Sequence, residues 1–198
     1  MIIEAQRRAD GRELPVEYGL GDAHRLQLGD EEFDAARADR IFQHLADPRA
    51  ALSEVVRVTR PRGRIAISDP DWETLLVDCA DPGILRRLKH FLCDSLPGSS
   101  IAHKLPGLMR ELGLEDVNVT PVTLVLDSLD AANVLLDLSN VADQARDLGA
   151  VTEEEHSSWL NDLRKRDAAN RFFTALTGFL TSARKPDHAA DSTASRCA

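Results

Sequence analysis

Residues 47–69 read DPRAALSEVVRVTRPRGRIAISD, and this stretch determines the fold. Asp47 is of the residue type that caps free amides at the start of a helix, and Pro48 is tolerated at the first helical position. Apolar residues then recur at helical spacing until Pro61 ends the helix. Residues 64–68 follow as a strand with two isoleucines on one face. A helix, a tight turn and a strand in this order are typical of an α/β fold with a parallel sheet.

The same alternation of helices and strands extends in both directions along the chain. Pro121 falls inside one of the predicted strands, which indicates an edge position or a bulge because proline cannot donate a backbone hydrogen bond. Thr152 and Glu155 have the spacing of a capping box and open the last predicted helix. Apolar patterns predict strands at 16–20, 33–38, 117–126 and 172–183, and helices at 1–9, 101–112, 131–148 and 152–163.

Composition limits the class of protein and of partner. The 198 residues fit one domain, and the formal net charge of −9 argues against a nucleic-acid binder and against a polybasic membrane surface. No apolar run approaches the roughly 20 residues that a membrane span needs. The three cysteines are far apart, so neither a metal site nor a disulfide framework is predicted, and a reduced cytoplasmic setting fits best.

Six short pieces, in a fixed order and spacing, carry a resemblance to a known family. They are GDAHRL at 21–26, FD at 33–34, QHL at 43–45, DP at 47–48, EVVRV at 54–58 and PRG at 61–63. Together they resemble the methyltransferase type 11 family of class I S-adenosylmethionine-dependent methyltransferases, which includes the ubiquinone/menaquinone-biosynthesis type. The resemblance covers roughly residues 1–186.

The resemblance implies a Rossmann-like α/β sheet that lacks its N-terminal part. The family opens with two strands around a glycine-rich turn that holds the cofactor, and nothing in this sequence matches that segment. Residues 16–20 would then be the family's third strand, and the gap would leave open sheet edges. The implied organisation is one truncated domain over 1–186, with lid helices at about 129–166 and a disordered tail over 187–198. Arg62 replaces a glycine common in the family, which predicts strain in that turn.

Carried over residue by residue, the resemblance implies a site for S-adenosylmethionine. Asp22 and Ala23 would contact the adenine, with the Asp22 carboxylate accepting a hydrogen bond from the exocyclic amine. Ala38, Asp39 and Arg40 would face the methionine half and the methyl group. A turn aspartate is the alternative role for Asp22, and a surface salt bridge is the alternative for Arg40.

Three further residues are candidates for contact with the methyl acceptor. His44 can act as a general base, because its ordinary pKa is near 6.5, or it can serve the structure before the helix cap. Asp69 follows a predicted strand and is a candidate polar contact in the substrate cleft. Trp72 either lines that cleft or packs in the core.

The implied function is S-adenosylmethionine-dependent transfer of a methyl group to an oxygen, nitrogen or carbon atom of a small molecule. The alternative is a non-catalytic remnant or a fragment that binds a partner and cannot hold the cofactor alone. A homodimer or a partner chain would then cover the open sheet edge.

Overall fold

The computed structural model describes Arg7 and residues 16–187. The predicted tail from residue 188 onward, and the predicted helix over 1–9 apart from Arg7, lie outside the described residues. The elements in chain order are β1 (Phe33–Asp39), α1 (Pro48–Val58), β2 (Thr59–Pro70), β3 (Leu76–Val77), α2 (Pro82–Ser95), α3 (Ile101–Glu111), β4 (Glu115–Leu126), α4 (Leu129–Leu136), α5 (Leu138–Asp147), α6 (Glu153–Ala168) and β5 (Thr174–Arg184), with 3₁₀ turns at Phe42–His44 and Trp72–Thr74.

One mixed sheet forms the centre of the fold. β1 pairs with β2 in parallel, and β5 then pairs with β2 in the antiparallel direction. The short β3 and the long β4 are both antiparallel to β5. Among the described strands β4 pairs with β5 alone, which agrees with the edge position predicted from Pro121. The predicted α/β architecture is therefore confirmed.

The α1–β2 unit forms for the local reasons visible in the sequence. Asp47 Oδ1 accepts a hydrogen bond from the backbone N–H of Ala50 at 2.9 Å, which caps the helix. Thr59 Oγ1 donates to the carbonyl of Val55 at 2.7 Å where the chain leaves the helix. Arg62 lies within β2, where the pairing with β1 is irregular, and its φ of +65° shows that the predicted strain is present at this position.

The first of two hydrophobic clusters lies on one face of the parallel pair. Ile65 and Ile67 of β2 are fully buried against Leu52 of α1 and against Leu105 and Met109 of α3. Because alternate strand residues point to opposite faces, this packing leaves Asp39, Ser68 and the other alternate positions on the opposite face.

The second cluster joins α2 to the helices of the C-terminal half. Leu88 and Leu92 of α2 pack with Leu138 of α5, with Leu163 of α6 and with Leu176 of β5. Helices α4, α5 and α6 are thereby held as one layer near the start of β5. This layer and the sheet leave a cleft between them.

The predicted strand at 16–20 is wrong. These residues belong to no strand, and Val16, Tyr18 and Leu20 are 50%, 39% and 92% exposed. Their alternating pattern meets no neighbouring strand among the described residues, so the backbone has no sheet to join.

The predicted single helix over 131–148 is also wrong, because the chain breaks at Asp137. Asp137 takes the left-handed conformation with a φ of +55° and separates α4 from α5. Asn133 Oδ1 accepts hydrogen bonds from the backbone N–H and the hydroxyl of Ser139, at 3.1 and 2.9 Å. Short polar side chains that bond to nearby backbone compete with helix continuation, and the apolar pattern alone did not reveal this.

Helix α2 was missed in the sequence, although it carries the same start signal as α1. Asp81 precedes Pro82, and the Asp81 carboxylate accepts hydrogen bonds from the backbone N–H groups of Gly83 and Ile84. Leucines at i+4 and i+8 from Ile84 complete the apolar face. The pattern of an aspartate followed by a proline could therefore have located this helix.

Arg57 ties the loop before β1 to helix α1. Its guanidinium donates to the carbonyls of Leu26 and Leu28, at 3.0 and 2.8 Å, and pairs with Glu54 and Asp30. These contacts fix the loop that carries Asp22 and Ala23. Separately, no helix in the described part of the chain is both long and apolar enough to cross a membrane.

Replacement of Leu105 by alanine tests the first cluster. Leu105 is fully buried, so Leu105→Ala is expected to lower the free energy of unfolding by about 2–5 kcal/mol. The matched control is Leu148→Ala, because Leu148 is 76% exposed and its loss is expected to cost under about 0.5 kcal/mol. Denaturant titration of both variants measures the difference, and equal costs would contradict the assigned core.

Candidate active site

A cavity of about 600 Å³ opens at the carboxyl ends of the parallel strands β1 and β2. In open α/β sheets ligands bind at this end of the strands. Its volume lies within the range of about 300–1,000 Å³ that is common for small-molecule sites. The cavity therefore lies where this type of sheet holds a ligand.

Five of the eight predicted site residues line this cavity. These are Asp39, Arg40, His44, Asp69 and Trp72. The remaining lining residues are Gln43, Ser68, Pro70, Leu92, Ser95, Leu96, Val122, Leu124, Leu135, Leu136, Asp137, Asn140, Val141, Gln144, Leu176 and Gly178.

Asp69 anchors the 3₁₀ turn after β1 to the end of β2. Its side chain is almost fully buried, and its two carboxylate oxygens accept hydrogen bonds from the backbone N–H groups of Phe42 and Gln43, at 3.3 and 3.1 Å. Burial raises the pKa of Asp69 from 3.8 to about 6, against the opposing effect of those two donors. Asp69 thus holds the backbone that presents His44.

Gln43 and Trp72 connect the two 3₁₀ turns. Trp72 Nε1 donates a hydrogen bond to Gln43 Oε1 at 2.8 Å. The backbone carbonyl of Gln43 also accepts a hydrogen bond from the backbone N–H of Gly98 at 3.0 Å. A Cβ on Gly98 would come within 2.7 Å of the Phe42 carbonyl, so this close approach requires glycine. Trp72 lines the cavity and also packs against the helical cluster, and its contact with a substrate stays a prediction.

Arg40 lies at the turn that leaves β1. Its φ of +54° is uncommon for a residue with a side chain, and its N–H donates to the Ser68 carbonyl at 2.7 Å. Residues in such conformations often cluster at functional sites. Arg37 Nη2 and Asp39 Oδ2 are 3.4 Å apart. Both side chains are exposed, so this ion pair is weak and leaves Asp39 available to a ligand.

The His44 ring stands exposed at the cavity and forms no hydrogen bond within the described residues. It ends the 3₁₀ turn that Asp69 anchors. A free ring nitrogen beside a cavity is chemically able to accept a proton from a ligand.

The other three predicted residues lie away from the cavity lining. Asp22 binds the backbone N–H and the ring of His24, both at 2.9 Å, and these contacts lower the pKa of the Asp22 carboxyl. Ala23 packs against the first cluster, and Ala38 is buried in it on the sheet face opposite Asp39. Their contact with the cofactor stays a prediction.

Several lining residues were not foreseen as site residues. Leu92 and Leu96 come from the end of the missed helix α2, and Asn140 and Gln144 come from α5 beyond the unexpected break. The signal for α2 was present in the sequence. The signal for Asn140 and Gln144 was their spacing of four residues, which places them on the same face of a helix.

These features define an α/β fold with a cavity of about 600 Å³ at the carboxyl ends of two parallel strands. Comparisons with known proteins show which proteins this chain resembles. Residues 1–67 match the family model described as a methyltransferase domain. Over 125 residues the chain is 32% identical to an O-methyltransferase of Penicillium expansum, covering 61% of this chain and 42% of that protein. The resemblance to the class I methyltransferases is confirmed.

Two further comparisons extend over nearly the whole chain. The chain is 36% identical over 185 residues to an uncharacterized 37.1 kDa protein of a transposon in Streptomyces fradiae, covering 92% of this chain and 52% of that protein. The YcgJ protein of Bacillus subtilis has the same fold, with a TM-score of 0.59, 17% identity and coverage of 94% and 79% of the two chains. The chain spans only 52% of the Streptomyces fradiae protein and 42% of the Penicillium expansum O-methyltransferase.

Replacement of Asp69 by asparagine tests the buried anchor. The folded protein holds the Asp69 proton more tightly than the unfolded chain, since its pKa is about 6 rather than 3.8. The resulting stabilisation is complete below pH 4 and is lost as the pH rises through 6. Relative to Asp69→Asn, the wild type should lose on the order of 3 kcal/mol of unfolding free energy across this window.

The measurement is denaturant unfolding at several pH values from 3.5 to 7. Asp94→Asn is the control, because Asp94 is exposed and its neutralisation should leave the wild-type pH profile in place. Parallel profiles for the wild type and Asp69→Asn would contradict the assigned protonation.

Proposed function

We propose that this protein transfers a methyl group from S-adenosylmethionine to an oxygen atom of a small-molecule acceptor. The carrying observation is that Asp39, Arg40 and His44 meet at one cavity with Trp72, at the carboxyl ends of β1 and β2. The likeness to an O-methyltransferase over 61% of the chain supports an oxygen acceptor.

The polar end of the cavity fits the methionine half of the donor. Arg40 offers a guanidinium for a carboxylate, and Asp39 offers a carboxylate for an ammonium group. The lining carries three carboxyl groups, from Asp39, Asp69 and Asp137, against the one guanidinium of Arg40. This balance favours a cationic ligand such as a sulfonium. The adenine half is assigned to Asp22 and Ala23 as a proposal from the resemblance alone.

The residues of the cavity supply alignment and a proton acceptor. When bound, S-adenosylmethionine supplies a methyl group on a positively charged sulfur. His44 would accept the proton that the acceptor hydroxyl loses when its oxygen gains the methyl group. Asp69 acts through the turn that it anchors, so it is a positioning residue.

Helices α4 and α5 cover the cavity in this proposal. Leu135, Leu136 and Val141 contribute to its lining from that side. Together with Leu92 of α2 and Leu96 directly after that helix, they offer an apolar surface to the acceptor and exclude water from the methyl group.

Donor binding is tested by calorimetric titration of the 198-residue chain with S-adenosylhomocysteine. Binding in the micromolar range is expected, and Arg40→Met is expected to weaken it at least 10-fold by removing a charged hydrogen bond worth about 1.5–3 kcal/mol. Arg86→Met is the matched control on the exposed surface of α2.

The alternative outcome is a folded chain that does not bind S-adenosylhomocysteine. That result would contradict the proposal and favour the alternative of a partner-binding protein. The open edge of β1, which pairs only with β2 among the described strands, supports such a role.

The proton acceptor is tested with His44→Gln. With S-adenosylmethionine and a panel of phenols, the mass gain of one methyl group is followed against time and pH. The variant should methylate at least 100-fold more slowly, since general base catalysis contributes about 10²–10⁴. Its affinity for S-adenosylhomocysteine should be unchanged.

His90→Gln is the control, because His90 is exposed on α2 away from the cavity lining. Equal rates for the wild type and His44→Gln, at every pH, would remove His44 from the reaction.

A further inference from the structure

Helix α5 presents two different faces. Leu138, Ala142 and Ala145 are buried in the helical cluster. Asn140 and Gln144, which are four residues apart, both line the cavity and so share the other face. The helix therefore places two carboxamides over the cavity while its apolar face holds it to the rest of the protein.

The part of the cavity wall contributed by β4 and β5 is apolar. It is formed by Val122 and Leu124 of β4 and by Leu176 and Gly178 of β5. Strand register places Val122 opposite Gly178 and Leu124 opposite Leu176, so these four residues share one face of the sheet. Gly178 contributes no side chain to the wall. A Cβ at this position would lie 3.2 Å from the Asp69 carbonyl oxygen. A ligand against this wall finds an apolar surface.

The two carboxamides retain unused hydrogen-bonding capacity. Asn140 Nδ2 donates one hydrogen bond to Asp137 Oδ2 at 2.7 Å, which orients the amide and leaves its oxygen and second proton free. The Gln144 side chain forms no hydrogen bond within the described residues, and both residues are exposed towards the cavity mouth. Each amide can serve both a donor and an acceptor on a ligand.

We propose that Asn140 and Gln144 determine acceptor specificity by hydrogen bonding to a hydroxyl or carbonyl group on an otherwise apolar molecule. The apolar body packs on the wall formed by β4 and β5, and its polar group meets the carboxamides of α5. As an acceptor site this inference rests on the proposed methyl transfer, but the binding that it describes requires no donor.

Matched probes test the proposal without knowledge of the natural acceptor. The probes are 2-naphthol and 2-methylnaphthalene, which differ by one hydroxyl in place of a methyl group. Ligand-detected NMR titration of the 198-residue chain measures both dissociation constants. The wild type should bind 2-naphthol at least fivefold more tightly, since a site that hydrogen-bonds a ligand group rejects the analogue without it.

Gln144→Leu should reduce this preference to less than twofold while affinity for 2-methylnaphthalene is kept or improved. Gln27→Leu is the matched control, because Gln27 is exposed in the loop before β1 and outside the cavity lining. Asn140→Leu should act like Gln144→Leu, and thermal melting of both variants checks that each stays folded.

An unchanged preference in folded Gln144→Leu and Asn140→Leu would overturn the proposal, and so would a folded wild type that binds neither probe or binds both equally. Titration with S-adenosylhomocysteine separates this result from the methyl-transfer proposal. Donor binding with no hydroxyl preference contradicts the specificity residues alone. A hydroxyl preference lost in the variants, without donor binding, contradicts methyl transfer alone.

Discussion

The carboxylate of Asp69 holds the candidate site together, because it joins the end of β2 to the turn that follows β1. Its two oxygens receive the backbone N–H groups of Phe42 and Gln43, which would otherwise be unpaired and buried. The same turn carries His44. Its Gln43 side chain also accepts a hydrogen bond from the indole N–H of Trp72. Burial of this carboxyl disfavours its charged form, and the two donors offset part of that cost. The site is thus built on one buried acceptor whose removal would release several elements together.

The parts of the fold that could be predicted are those that depend on neighbours in sequence. Asp47 and Thr152 cap their helices through residues three positions ahead, so local spacing revealed both helix starts. The strands at 33–38, 117–126 and 172–183 agree with β1, β4 and β5 to within about two residues at each end. Asp81 and Pro82 offered the same local signal for α2. The start of α2 was therefore predictable from local residues.

The parts that could not be predicted depend on contacts between distant residues. The hydrogen bond between Trp72 and Gln43 joins residues that are 29 positions apart. Neither residue type predicts the other as its partner. Residues 16–20 alternate like a strand, yet a strand also needs a partner, which the pattern does not contain. Asp39 and Ala38 were assigned together, but adjacent strand residues point to opposite faces, so only Asp39 reaches the cavity.

The two ends of the cavity rest on different kinds of structure, and this difference bears on how the protein could vary. Arg40 and His44 follow strand β1, whose partner β2 is packed into the first cluster, so their positions are fixed by the sheet and by Asp69. Asn140 and Gln144 lie on α5, which begins at the left-handed residue Asp137 and is held by side-chain packing. Substitutions on that exposed helix face alter no core contact. Ligand preference can therefore change at α5 while the geometry of the reacting end is preserved.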